Sequence, residues 1–214
     1  MSKVDFSLCL ITARNVLPAG RDLLEALRAA LKGGVRCIQL REKEMPASDL
    51  QVLARDVRAL TKEFGARLLI NSNVELALEC KADGVHLGIA SPSSVATARQ
   101  RMGKDAIIGF SAHSLEDLHS AEREGADFVT FSPVYATPSK AAYGPPQGVD
   151  KLREFCRRTT IPVFALGGIK LERVAEVLDA GAVGVALISA ILAQADPEAA
   201  TRDFLQRLHS SGNI

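Results

Sequence analysis

The chain has 214 residues, 47% hydrophobic and 24% charged, with a formal net charge of +1. These proportions fit one globular domain, spanning residues 1–214, with a sizeable core; without a broad basic face, nucleic acid is excluded as a partner on electrostatic grounds. No apolar run approaches the ~18 residues of a membrane span and no secretory pattern opens the chain, so a cytoplasmic protein without a membrane partner is expected.

Taken in order, the first apolar run predicts a strand over Leu8–Thr12, then a loop with Pro18 and Gly20 and a helix from Asp22. A second strand is expected over Arg36–Leu40, with a helix opening at Ser48 as N-cap. Strand 3 (Arg67–Ile70) leads through Asn71 to Asn73 into a helix over Val74–Cys80, and strand 4 (Gly84–Leu87) into a helix over Ser94–Arg101. Strand 5 is expected over Ala106–Phe110, followed by a helix opened by a capping box of Ser114 and Asp117. Strand 6 (Phe128–Ser132) precedes the longest loop, Pro133 to Gly148, whose length reads as a working segment rather than slack. A helix from Val149, strand 7 (Pro162–Leu166), a helix over Leu171–Ala180, strand 8 (Gly184–Leu187) and a helix after Pro197 complete the chain.

Four of these strands share a device. A helix end runs into a small turn and then an apolar run at Lys32 to Leu40, Lys81 to Leu87, Glu124 to Phe131 and Ala180 to Leu187. The recurrence is about every fifty residues, twice the length of a strand-plus-helix unit, so these are alternate strands of an eight-unit repeat. The fold class is a single (β/α)8 barrel of the TIM type, whose chemistry sits in the loops after the strands. Cys9, Cys37, Cys80 and Cys156 are widely spaced with no Cys-x-x-Cys pair, three of them within or beside apolar runs, and read as packing thiols rather than metal or redox groups.

The residues just past each strand therefore form one ring: Gln39, Leu40, Arg41, Glu42 and Lys43; Asn71; His86; Ser111; Thr137, Pro138, Ser139 and Lys140; Gly167 and Gly168; Ile188 and Ser189. Arg41, Lys43 and Lys140 with hydroxyl and amide donors between them suit an anion bearing more than one phosphate. The competing reading pairs Arg41 with Glu42 in a surface loop. Gly167-Gly168 and Ser189 follow strands 7 and 8, the usual phosphate-binding position of this architecture. His86 and His113 could each transfer a proton, or simply be structural.

From about Leu8 to Phe204 the chain resembles the thiamine-phosphate synthase family and its sister group of thiazole tautomerases. The marks are Gln39 to Lys43, Ala82 to Gly88, Ile108 to Ser114, Ser132 to Lys140, Leu166 to Ile169 and Ile188 to Ile191. The resemblance implies small phosphorylated substrates: a hydroxymethylpyrimidine diphosphate held by Gln39 to Lys43, Asn71, Ser111 and Lys140, and a thiazole phosphate held by Thr137 to Ser139, Gly168, Ile188 and Ser189. Arg41, Lys43, Ser111 and Lys140 would carry the catalysis, by stabilising charge on departing pyrophosphate.

The resemblance also implies Mg2+, held by one Asp after the Asn of strand 3 and another shortly after His-Leu-Gly. This chain has Ser72 and Ser91 at those positions, a poor ligand set for a hard dication, so no metal ligand is assigned. Pro133 stands where the tautomerases carry a catalytic His. Synthase is the leading reading, with a tautomerase or a non-catalytic paralogue binding the same ligands as alternatives; a homo-oligomer stays open.

Overall fold

In the computed structural model, which describes residues 3–137 and 145–211, eight parallel strands close into a ring in chain order. They are β1 (Leu8–Ile11), β2 (Cys37–Leu40), β3 (Arg67–Asn71), β4 (Gly84–Gly88), β5 (Ile107–Ala112), β6 (Phe128–Phe131), β7 (Val163–Leu166) and β8 (Gly184–Leu187). The ring closes where Leu10 of β1 lies beside Leu187 of β8. The architecture is the (β/α)8 barrel that the four-fold recurrence implied.

The connecting helices are α1 (Leu23–Lys32), α2 (Ala47–Glu63), α3 (Val74–Glu79), α4 (Val95–Met102), α5 (Leu115–Arg123), α6 (Val149–Arg157) and α7 (Val174–Asp179), then α8 (Ser189–Leu192) and α9 (Pro197–Ser211). Several start where a short polar side chain takes up an orphan amide of the first turn. Asp22 accepts from Glu25, Asn73 from Leu76 and Ser94 from Thr97. Ser114 and Asp117 form the expected reciprocal capping box.

Several strand ends lie one residue from the sequence expectation, and four other features depart from it. Ser48 is not the N-cap of α2: the helix starts at Ala47 after Pro46, and the Ser48 hydroxyl bonds Asp49 instead. β5 runs on to Ala112, bringing Ser111 into the strand ladder beside Thr130. The helix expected from Leu171 opens as a 3-10 turn over Leu171–Arg173. α8 is an additional short helix, too brief for its periodicity to show.

Because strand side chains alternate, each strand feeds two cores. Between barrel and helices lies the large layer that includes Leu10, Ile38, Leu40, Ile70, Val85, Ile108 and Val129. Inside the ring lies a smaller cluster of Cys9, Ile11, Cys37, Leu69, Ile107, Phe128, Phe164 and Ala186. Phe6 plugs its lower end, 5.8 Å from the Phe128 ring and 5.4 Å from Phe164. Cys9 and Cys37 are free thiols with sulfurs 3.5 Å apart, and burial is the main cause that pushes the Cys37 thiol upward. They are part of this packing, as expected.

At the N-terminal face the repeat carries a structural clamp. Asp83, one residue before β4, accepts from Leu68 N–H at 2.8 Å and from Arg58 of α2 at 2.5 Å. Asp127, one residue before β6, accepts from Ile108 N–H at 2.7 Å and from Arg99 of α4 at 2.6 Å. Each carboxylate thus ties an outer helix to the preceding strand. A cleft of about 410 Å³ opens on this face against Lys3, Arg67 and Asp83. Two of its cations are already engaged, Lys3 with Asp127 at 2.7 Å and Arg67 with Asp5 at 2.9 Å, and it lies at the end of the barrel opposite the strand C-termini, so it belongs to the scaffold.

Candidate active site at the C-terminal rim

Parallel strands in a closed ring present all their C-terminal ends on one face, and the inward positions there are polar on β2 to β6. Gln39, Asn71, His86, Ser111 and Thr130 continue the inward alternation begun by Cys37, Leu69, Ile107 and Phe128 lower in the barrel.

These side chains form two hydrogen-bonded chains. In the first, Gln39 Nε2 donates to Asn71 Oδ1 at 3.0 Å, and Asn71 Nδ2 donates to Ser72 Oγ at 3.2 Å. Ser91 Oγ donates to the same Ser72 oxygen at 2.9 Å and accepts from Gly88 N–H at 2.8 Å. In the second, Thr130 Oγ1 lies 3.4 Å from His86 Nε2 and 3.2 Å from Ser111 Oγ. The buried Gln39 Oε1 has no partner, an acceptor left open beside the mouth.

Arg41 and Glu42 do not pair. The Glu42 carboxylate accepts from Arg14 N–H at 3.1 Å and lies 3.7 Å from Arg14 Nε, fastening the loop after β2 to the loop after β1. Thr12 Oγ1 accepts from Arg41 N–H at 2.9 Å and completes that tie. Among the described residues neither the Arg41 guanidinium nor the Lys43 ammonium has an ion-pair partner, so two cations stand free at the rim. Arg41 is near enough to act on the barrel interior: burial first, and the Arg41 charge second, lower the His86 pKa from 6.5 to about 4. His86 is 3% exposed and neutral at ordinary pH, a structural and hydrogen-bonding group rather than a proton shuttle. A Cβ at Gly109 would lie 2.6 Å from His86 Cδ2 and 2.4 Å from the Phe128 ring, so glycine makes room for both.

Across the mouth, Gly167 and Gly168 have φ of 97° and 66°. Their Cβ positions are filled by the loop after β6: a side chain at Gly167 would meet Pro133 at 2.8 Å, and one at Gly168 the Ala136 carbonyl at 2.6 Å. Glycine is therefore required for loop packing as well as for turn geometry. The Gly168 amide donates no hydrogen bond among the described residues and is available to an anion. Arg173 steadies this corner, its guanidinium 4.1 Å above the Tyr135 ring and donating to Gly168 O at 3.4 Å, while Tyr135 donates to Glu176 at 2.6 Å. Desolvation, then the Glu176 bond, push the Tyr135 phenol upward.

Of the other expected site residues, Leu40 turns its side chain into the outer core, leaving its backbone for any ligand contact. Ile188 packs on the inner cluster, Ser189 is exposed at the start of α8, and Thr137 is half-buried. Pro138, Ser139 and Lys140 lie outside the described residues. His113 does not face the ring as a free base; its Nδ1 lies 3.0 Å from Ser132 O. Thr12 and Thr130 were missed from sequence; for Thr130 the available signal was a threonine on the inward side of a buried strand, and for Thr12 a buried threonine just past β1.

Over residues 8–191 the chain matches the family model described as thiamine monophosphate synthase. The chain belongs to that family. A protein of Geobacter sulfurreducens is 55% identical over 208 residues, 97% of each chain, and a thiamine-phosphate synthase of Syntrophomonas wolfei is 40% identical over 206, covering 96% of this chain and 98% of that one. Among solved structures, the thiamine phosphate pyrophosphorylase of Pyrococcus furiosus superposes with a TM-score of 0.86 at 32% identity over 98% of both chains.

The thiamine monophosphate synthase family is generally Mg2+-dependent. The rim does not fit such an ion. Where two carboxylates are expected, Ser72 and Ser91 offer hydroxyls already bonded to each other, and the described residues hold no cluster of three or more His, Cys, Asp or Glu side chains able to bind a metal. Residues 138–144 add no carboxylate by sequence. Among the described residues no helix is long and apolar enough to cross a membrane.

Proposed function

We propose that the protein is a thiamine-phosphate synthase, condensing hydroxymethylpyrimidine diphosphate with thiazole phosphate. The observation that carries this reading is the pair of cations without ion-pair partners among the described residues, Arg41 and Lys43, in the loop that follows Gln39, together with the open amide of Gly168 in the loop after β7. Family membership and full-length similarity to thiamine-phosphate synthases support it.

In the reaction, the bond between the pyrimidine methylene carbon and the diphosphate oxygen breaks, and its electron pair leaves with pyrophosphate. The thiazole ring nitrogen then uses its lone pair to form the new carbon–nitrogen bond, giving thiamine phosphate. No proton transfer is required, which agrees with a neutral His86 and a tethered His113. Charge develops on the leaving group, so catalysis falls to prearranged cations and donors: Arg41 as a fork, Lys43 and Lys140 as point charges, Ser111 as a hydroxyl. Gln39 and Asn71 hold the pyrimidine diphosphate, and Thr137 to Ser139, Gly168, Ile188 and Ser189 the thiazole phosphate.

Incubating the protein with both substrates and following thiamine phosphate by chromatography tests the reading. Accumulation of thiamine phosphate with equimolar pyrophosphate is expected. Isomerisation of a thiazole substrate without condensation would place the chain with the tautomerases, and ligand binding without turnover would make it a binder.

A further inference from the structure

The hydroxyl count at the end of β3 leaves one donor over. A serine hydroxyl has one hydrogen and two acceptor positions. Ser72 Oγ accepts from Asn71 and from Ser91, which fills both positions, and Ser91 spends its own hydrogen on Ser72 while accepting from Gly88. The Ser72 hydrogen has no acceptor among the described residues. Ser72 is only partly buried and stands next to Asn71 in the strand order that continues to Arg41 and Lys43. Its backbone adds a second sign: φ is 59°, a left-handed conformation that a serine adopts at a cost, and Ser72 N–H is held to His86 O at 2.9 Å. A strained residue, fixed by two neighbouring strands and left with a free donor, is arranged for an acceptor that the described residues do not supply.

We propose that Ser72 donates directly to the pyrophosphate oxygens of the substrate, and that the Ser72–Ser91 pair makes this a metal-independent pyrophosphate site. The proposal rests on the synthase reading of the rim. A dication would need anionic oxygens there, whereas the two hydroxyls are neutral and use each other as partners. With Arg41 and Lys43 supplying positive charge, a hydroxyl donor completes the oxyanion site without bound metal. Ser91 is a positioning residue: it fills the second acceptor position of Ser72 and so turns the free hydrogen outward. No covalent step is added, since Ser72 keeps its proton.

Calorimetric titration with inorganic pyrophosphate, in buffer containing a chelator and in buffer containing Mg2+ at matched free pyrophosphate, tests this with a readout independent of turnover. Wild-type affinity should agree within about threefold between the two buffers. Ser72→Ala should weaken binding roughly tenfold, the usual scale for one hydrogen bond to a charged group. Ser72→Gly suits the left-handed backbone, removes the same hydroxyl and should weaken binding equally, so a folding defect in the alanine variant cannot mimic the result. The double variant S72D/S91D should bind pyrophosphate well only with Mg2+, and should acquire a bound Mn2+ signal by paramagnetic resonance. Wild-type binding that falls more than tenfold on chelation, or unchanged affinity in both Ser72 variants, would overturn the proposal while leaving the synthase reading intact. A folded wild-type protein that binds pyrophosphate in neither buffer would overturn both.

Discussion

Asn71 is the acceptor for Gln39, and the 3.0 Å bond between their amides joins β2 to β3 at the mouth of the barrel. Gln39 is 2% exposed and its Oε1 is already without a partner. Asn71→Ala would strand the Nε2 donor as well, so a loss of about 1–3 kcal/mol is expected by urea unfolding. Gln39→Leu in the Asn71→Ala background should recover part of it, because an apolar side chain leaves no buried donor unpaired.

Arg41 has no ion-pair partner among the described residues, so removing its charge breaks nothing in the free protein. Arg41→Ala should weaken pyrophosphate binding by roughly 1.5–3 kcal/mol, with an unchanged melting temperature. The same is expected for Lys140→Ala. Wild-type affinity in both variants, measured by calorimetry, would remove these residues from the diphosphate site.

The His86 pKa falls to about 4 in the folded chain from an ordinary 6.5. Between these values the unfolded state binds more protons than the folded one, so stability rises with pH across this window. Its contribution is complete above about pH 6.5 and is lost as pH falls toward 4, on the order of 3 kcal/mol at most. Unfolding free energies of wild type and His86→Gln, compared from pH 7.5 to 4.5, should show the steeper acid loss in wild type. A His86 ring signal titrating near 6.5 by nuclear magnetic resonance would contradict the assignment.

Gly168→Ala meets two obstacles, a φ of 66° and the Ala136 carbonyl 2.6 Å from the new Cβ. A cost of roughly 1–3 kcal/mol is expected from the backbone alone. Displacing the loop after β6 should raise the KM for thiazole phosphate more than that for the pyrimidine diphosphate. Equal effects on both would argue against a divided pocket.

The barrel was legible because its repeat is carried by local signals. Turn, apolar run and capping residue recur in register, and Ser94, Asn73 and Ser114 each cap the helix they announce. The ring of polar residues followed from the strand ends alone. Less legible was what each polar group does once there. The sequence neighbours Arg41 and Glu42 suggest an ion pair, but the loop turns Glu42 toward Arg14, a choice made by tertiary contact between two loops. Thr130 bridges His86 and Ser111 only because strands distant in sequence come into register. Ser48 appeared to be a cap because serine favours that position, yet the helix begins one residue earlier.

The carboxylate clamps of Asp83 and Asp127 secure the ring at the end opposite the chemistry. That end of the ring is therefore held by residues that take no part in the pocket. A change to a rim side chain without an ion-pair partner among the described residues, such as Arg41, leaves those clamps intact, whereas one that breaks the Gln39–Asn71 bond draws on the stability they supply. Ser72 and Ser91 lie outside those clamps, so the hydroxyl pair at the mouth can be exchanged for other side chains while the opposite end of the ring stays closed.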